Sequence, residues 1–180
     1  MRYYHGSKNP CLKELTTDHY GGKLYVTDSY EMALLYAGCS LRSWNYDREN
    51  DILYIIEMGK DAFKKMYKGK TCYIYTCDID DASKDNGNIS SHTYTVNHNV
   101  ILNEEREIIQ DVYAKFLELE KDNKIKIIRW EDFSKEEQEN RKRKTIERWL
   151  PHMENERIKF PDEYKLLIDI IPELKIKKYS

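Results

Sequence analysis

The chain changes character at Ser134, and that change limits what it can fold into. Before it, short β-branched and aromatic runs recur at 2–5, 24–27, 52–57, 71–77, 93–96, 100–102 and 124–130, each bounded by turn-forming residues. Beyond it no such run remains. Ser134 with Glu137 forms a capping box for a highly charged helix over 135–150, stopped at Pro151, and 164–171 reads as a last short helix between Pro161 and Pro172. Strands first and helices last predict an α+β fold. The expected organisation is a core over 1–133 with a helical C-terminal extension, 134–180, packed on it.

Within the core, Asp28 and Glu31 predict a capped helix over 29–38, in which Met32, Leu35 and Tyr36 share a face while Ala33 and Ala37 permit close approach. Short helices are expected at 12–15 and 62–67. The strongest helical pattern runs over 104–121, where Ile108, Ile109, Val112, Tyr113, Phe116, Leu117 and Leu119 form an apolar stripe. The run 52–57 reads as a strand buried on both faces. Residues 40–51, with Leu41, Trp44 and Tyr46 among polar neighbours, read as an irregular connection, and 78–91 as an exposed loop or hairpin tip.

The chain has 180 residues, 34% of them charged, with a net charge of −2. No basic excess demands a nucleic-acid partner. The apolar runs are too short to span a bilayer, and Met1-Arg2-Tyr3-Tyr4 leads into a strand rather than a signal peptide, so the expectation is a cytoplasmic protein with no membrane partner. Cys11, Cys39, Cys72 and Cys77 lack the spacing of a zinc site and read as reduced thiols; Cys72 and Cys77, five apart on one strand, should point to opposite faces. His92 and His98 are six apart across a loop, a spacing with no standard metal geometry, and no metal is expected.

The first forty residues carry the chemistry. Tyr3-Tyr4-His5-Gly6-Ser7 ends one strand; Gly21-Gly22-Lys23-Leu24-Tyr25-Val26-Thr27 makes a turn and a second; the following helix carries Tyr36, eleven residues after Tyr25. This order resembles the nicotinamide-binding half of the ADP-ribosyltransferase superfamily, the branch of poly(ADP-ribose) polymerases and diphtheria-toxin-like enzymes. The resemblance implies a split antiparallel β-sheet core with flanking helices, and NAD as substrate. It implies that Gly6 pairs through its backbone with the nicotinamide amide and that His5 bonds a ribose hydroxyl. Tyr25 and Tyr36 would sandwich the pyridinium ring, where an aromatic face attracts a cation by roughly 0.5–2 kcal/mol. Ser7 and Thr27 are auxiliary hydrogen-bonders. The same residue types also suit plain core aromatics and a strand ending in a turn.

The family's glutamate, at the start of a later strand, bonds the nicotinamide ribose and offsets the growing charge. The matching stretch here, Asn97-His98-Asn99-Val100-Ile101-Leu102, puts His98 at that position. Glu104, Glu105 and Glu107 are nearby acids that also suit a first helical turn. The favoured expectation is mono-ADP-ribosyl transfer from NAD to an unknown acceptor (protein, nucleic acid or small molecule), with His5, Tyr25 and His98 as the catalytic group. The alternatives are an inactive module binding NAD, ADP-ribose or another nucleotide, and an RNA 2′-phosphotransferase-like enzyme using His5, Arg42, Arg48 and His98. Arg141-Lys142-Arg143-Lys144 is interleaved with glutamates and reads as a solvated face.

Overall fold

The computed structural model describes residues 1–17, 22–38, 43–47, 52–85, 92–102 and 106–175. In chain order they form β1 (Arg2–Ser7), β2 (Glu14–Leu15), β3 (Leu24–Thr27), α1 (Tyr30–Gly38), β4 (Ser43–Asp47), β5 (Ile52–Ile56), α2 (Ala62–Tyr67), β6 (Cys72–Asp78), β7 (Ser83–Lys84), β8 (Thr93–Val96), β9 (Val100–Ile101), β10 (Arg106–Ile109), α3 (Val112–Lys121), β11 (Ile125–Ile128), α4 (Lys135–Trp149), α5 (Met153–Lys159) and α6 (Pro161–Ile170). The fold is α+β. A six-stranded antiparallel sheet has the order β10-β6-β1-β3-β8-β7, a three-stranded sheet the order β11-β5-β4, and β2 pairs with β9. The smaller sheet is mixed, because β11 runs parallel to β5 while β4 runs antiparallel to it.

Helix α1 is the centre of the main core. Met32, Ala33, Leu34, Leu35 and Ala37 are all buried, as expected of a helix that is apolar all round rather than along one stripe. It packs on β1, β3 and β6, and the same core takes in Leu53 and Ile55 of β5, Phe63 of α2 and Phe116 of α3. A second cluster covers the opposite face of the large sheet and includes Tyr3, Leu24, Val26, Tyr75, Cys77 and Val96. Cys72 lies in the first cluster and Cys77 in the second, so the two thiols do point to opposite faces. Burial pushes them up, to about 12 and about 11. Cys11 is exposed; Cys39 lies outside the described residues.

Several local expectations are corrected. Residues 14–15 form β2 rather than part of a helix, because they pair with β9. The stretch expected as one helix over 104–121 is divided: β10 pairs with β6, Asp111 then caps α3 by accepting from the Ala114 amide at 3.1 Å, and Glu104 and Glu105 lie outside the described residues. Sheet pairing overrides the helical period here. The cap of α1 is Ser29 rather than Asp28, its hydroxyl accepting from the Met32 amide. Trp44 and Tyr46 lie on a regular strand, β4, while Leu41 lies outside the described residues. β5 alternates between buried and half-buried positions instead of being buried on both faces. The Ser134–Glu137 capping box is present at the head of α4. Ile146 and Trp149 dock that helix on the core, but Leu150 is exposed, and α5 follows Pro151 where no helix was expected.

Candidate functional site

The two strands that carry the motif part company. β1 and β3 pair at Tyr4↔Thr27, and their ladder stops there. Met1 exchanges both of its backbone bonds with Ile79, the residue that continues β6 (3.0 and 3.2 Å). Hydrogen-bonded pairs in an antiparallel ladder recur at every second residue. Tyr3, His5 and Ser7 therefore spend their backbone groups on β6, whereas Tyr4 and Gly6 turn theirs toward β3. Tyr4 meets Thr27. The N–H and C=O of Gly6 face β3 beyond the last paired residue, at the mouth of a notch.

His5 crosses that notch. Its Nδ1 lies 3.4 Å from the Tyr25 carbonyl oxygen, a long bond in which the carbonyl can only accept, so Nδ1 carries the proton and Nε2 is the acceptor nitrogen. Burial holds the imidazole below its usual range, and the bond to Tyr25 opposes that shift. The ring is thus neutral at pH 7 and suited to accepting from a hydroxyl.

Glycine at position 6 is also required by packing. A Cβ there would sit 1.9 Å from the Ala33 carbonyl oxygen and 2.8 Å from the Ala37 Cβ. Helix α1 therefore lies directly on β1, and the two run in the same direction, since Tyr30 at the helix start meets Tyr4 edge to face at 5.9 Å. Tyr30 leaves α1 on the flank that faces β10, where its hydroxyl donates to Glu107 at 3.0 Å. Six residues on, at about 100° per residue, Tyr36 leaves on the other flank, toward β3. Tyr25, two residues before Thr27 on β3, takes the alternate position that faces α1. Gly6, Tyr25 and Tyr36 thus share one side of the sheet at the notch, and His5 reaches into it from the other.

The remaining expected residues are placed differently. Ser7 accepts from the Asn9 amide and Thr27 from the Ser29 amide, so both hydroxyls stabilise turns, and Thr27 is buried. His98 is not brought to the notch. It sits on the exposed turn after β8, with Nδ1 2.8 Å from the Asn99 carbonyl and Nε2 3.1 Å from the Asp81 carboxylate beside the edge strand β7. Glu107 lies on β10, two strands from β1, held by Tyr30 and Lys115. The positions of β8 beside β3 on the α1 side are Thr93 and Thr95, neither an acid. Arg42 and Arg48 lie outside the described residues.

One cluster escaped sequence reasoning. His92 Nδ1 lies 2.6 Å from Asp28, whose other oxygen accepts from the Tyr94 hydroxyl at 3.0 Å, and Tyr94 packs edge-on against Tyr3. Burial and Asp28 push the Tyr94 phenol up to about 12. The group clamps the end of β3 to the start of β8, at the closed end of the β1–β3 pair. Its residues are 64 and 66 apart in sequence, which left no local signal. Among the described residues no three His, Cys, Asp or Glu side chains are grouped to hold a metal ion, and no helix is long and apolar enough to cross a membrane.

Fold and site together define an α+β protein with a notched antiparallel sheet and a glycine backbone edge at the notch. Comparison with protein-family models, with curated proteins and with solved structures finds no match to the chain.

Proposed function

We propose that the notch takes the nicotinamide end of NAD and that the protein transfers ADP-ribose from NAD to an acceptor. The observation that carries this reading is the backbone edge of Gly6, which faces the notch beyond the Tyr4↔Thr27 pair. A carboxamide needs one donor and one acceptor side by side, which a strand edge supplies. In this reading the neutral His5 accepts from a ribose hydroxyl through Nε2, and Tyr25 and Tyr36 flank the pyridinium ring. The carbon–nitrogen bond to nicotinamide breaks with its electron pair leaving on nicotinamide, and the acceptor captures the cationic sugar.

A second reading, binding of NAD or ADP-ribose without cleavage, is favoured by the threonines of β8 where an acid would offset that cation. A single experiment separates the two. The melting temperature is measured with and without millimolar NAD for wild type and His5→Ala, and free nicotinamide is assayed in the same samples. A ligand at a hundred times its dissociation constant stabilises by about 2.7 kcal/mol. Transfer predicts a shift and nicotinamide release in wild type, both lost in His5→Ala. A shift without release selects the binding module. No shift in wild type overturns both.

A further inference from the structure

We infer that Tyr75, on β6, positions His5: its hydroxyl fastens residues 9–12 over the sheet face on which the imidazole lies, which holds the ring and keeps water from it. What the ring then binds rests on the NAD reading above. His5 and Tyr75 are directly opposed in the β1–β6 ladder. Their side chains therefore leave the same face of the sheet, with bases about 4.5–5.5 Å apart. Tyr75 is 1% exposed, so its hydroxyl needs partners within the protein.

Beyond Ser7 the chain turns back over that face. The Ser7 hydroxyl accepts from the Asn9 amide, and the Asn9 side-chain carbonyl accepts from the Cys11 amide, both at 3.0 Å. The Tyr75 hydroxyl then grips the returning segment twice. It donates to the Asn9 backbone carbonyl at 2.7 Å and accepts from the Leu12 amide at 3.2 Å. Leu12 packs against the cluster that holds Tyr75. A phenol reaches farther from a sheet than an imidazole, so the segment it holds passes over the level of His5.

His5 needs such a clamp. Its bond across the notch to the Tyr25 carbonyl is 3.4 Å long, beyond the roughly 2.7–3.2 Å of a firm N–H···O bond, and orients the ring only weakly. Packing supplies the rest, and on the β6 side that packing is Tyr75 with the segment above it. Burial also lowers the imidazole below its usual range, so the contact that fixes the ring keeps Nε2 free of a proton. Tyr3 and Tyr94, on the same face, serve the closed end of the β1–β3 pair instead, the first beside Met1 Sδ at 3.3 Å and the second donating to Asp28.

The test is Tyr75→Phe, which keeps the ring and removes the hydroxyl. The His5 imidazole is titrated by NMR, its resonance assigned by its absence in His5→Ala, alongside melting temperature and NAD-induced shift. A merely structural tyrosine lowers the melting temperature and leaves the His5 titration where it was. The expected result is a folded protein in which His5 titrates higher, toward the value of about 6.5 for an exposed imidazole, while the exposed His98 is unmoved. NAD affinity is expected to fall by up to about tenfold, the worth of one neutral hydrogen bond. An unmoved His5 titration in folded Tyr75→Phe overturns the inference, whatever NAD does. Wild type without an NAD shift overturns the NAD reading, and the His5 titration still decides the role of Tyr75. If Tyr75→Phe does not fold, Leu12→Ala, which loosens the same segment with Tyr75 in place, decides on the same titration: a rise supports the inference and an unmoved value overturns it.

Discussion

Gly6 meets two requirements that no other residue meets together. Its missing side chain lets the Ala33 carbonyl approach, and its backbone forms the edge of the notch. Gly6→Ala therefore perturbs the packing of α1 whatever the notch binds, and His5 is the cleaner probe. Burial lowers the His5 folded-state value below the 6.5 of an exposed imidazole. Between those two values the unfolded chain takes up a proton that the folded one refuses, so stability rises with pH through that window. The His5 contribution is complete above about pH 6.5 and is lost on acidification through the folded value. His98, raised by its backbone and Asp81 bonds, acts in the opposite sense, so whole-protein profiles mix the two. His5→Gln should lose less stability than wild type between pH 7 and pH 5 in urea titrations; parallel profiles would contradict the assignment.

At the scale of elements, Glu57 joins parts that share no local pattern. It stands just after β5, buried, with one oxygen on the Phe63 amide of α2 at 3.0 Å and the other on the Trp130 amide after β11 at 2.9 Å. Removing the carboxylate leaves two backbone donors without their acceptor, each costing about 1–3 kcal/mol when water cannot replace it. Glu57→Ala should destabilise by roughly 2–5 kcal/mol, with Glu57→Gln retaining part of the loss because its amide oxygen can serve one donor. A change below about 0.5 kcal/mol, the usual range for surface substitutions, would show that the two amides find other partners.

The whole molecule does not divide energetically where its sequence changes character. Met153, Leu167, Ile171 and Leu174 are almost fully buried in the same cluster as α1. Burying one such side chain contributes about 1.5–3 kcal/mol, so four contribute roughly 6–12 kcal/mol, comparable to the entire stability of a typical domain, about 5–15 kcal/mol. A chain ending at residue 133 is expected to lack a cooperative thermal transition and to show collapsed amide chemical-shift dispersion. A sharp transition close to that of the full chain would mean that the last helices only decorate the core.

Local chemistry was readable wherever it is satisfied by near neighbours. The Ser134–Glu137 box, the strand at 24–27, the helix at 62–67 and the opposite facing of Cys72 and Cys77 all follow from spacings of six residues or fewer. The order of the elements that carry His5, Gly6, Tyr25 and Tyr36, two strands and then a helix, was likewise visible. What the tertiary structure decided is everything that depends on partners far along the chain. Arg106–Ile109 became a strand because β6 offered an edge, overriding a helical period. His98 turned to Asp81, and Asp28, His92 and Tyr94 met across more than sixty residues. The notch itself exists because β1 and β3 stop pairing after a single register position, while α1 packs onto Gly6. Sequence by itself determines which backbone conformations and faces are favourable; only burial against distant segments determines which of them are realised together.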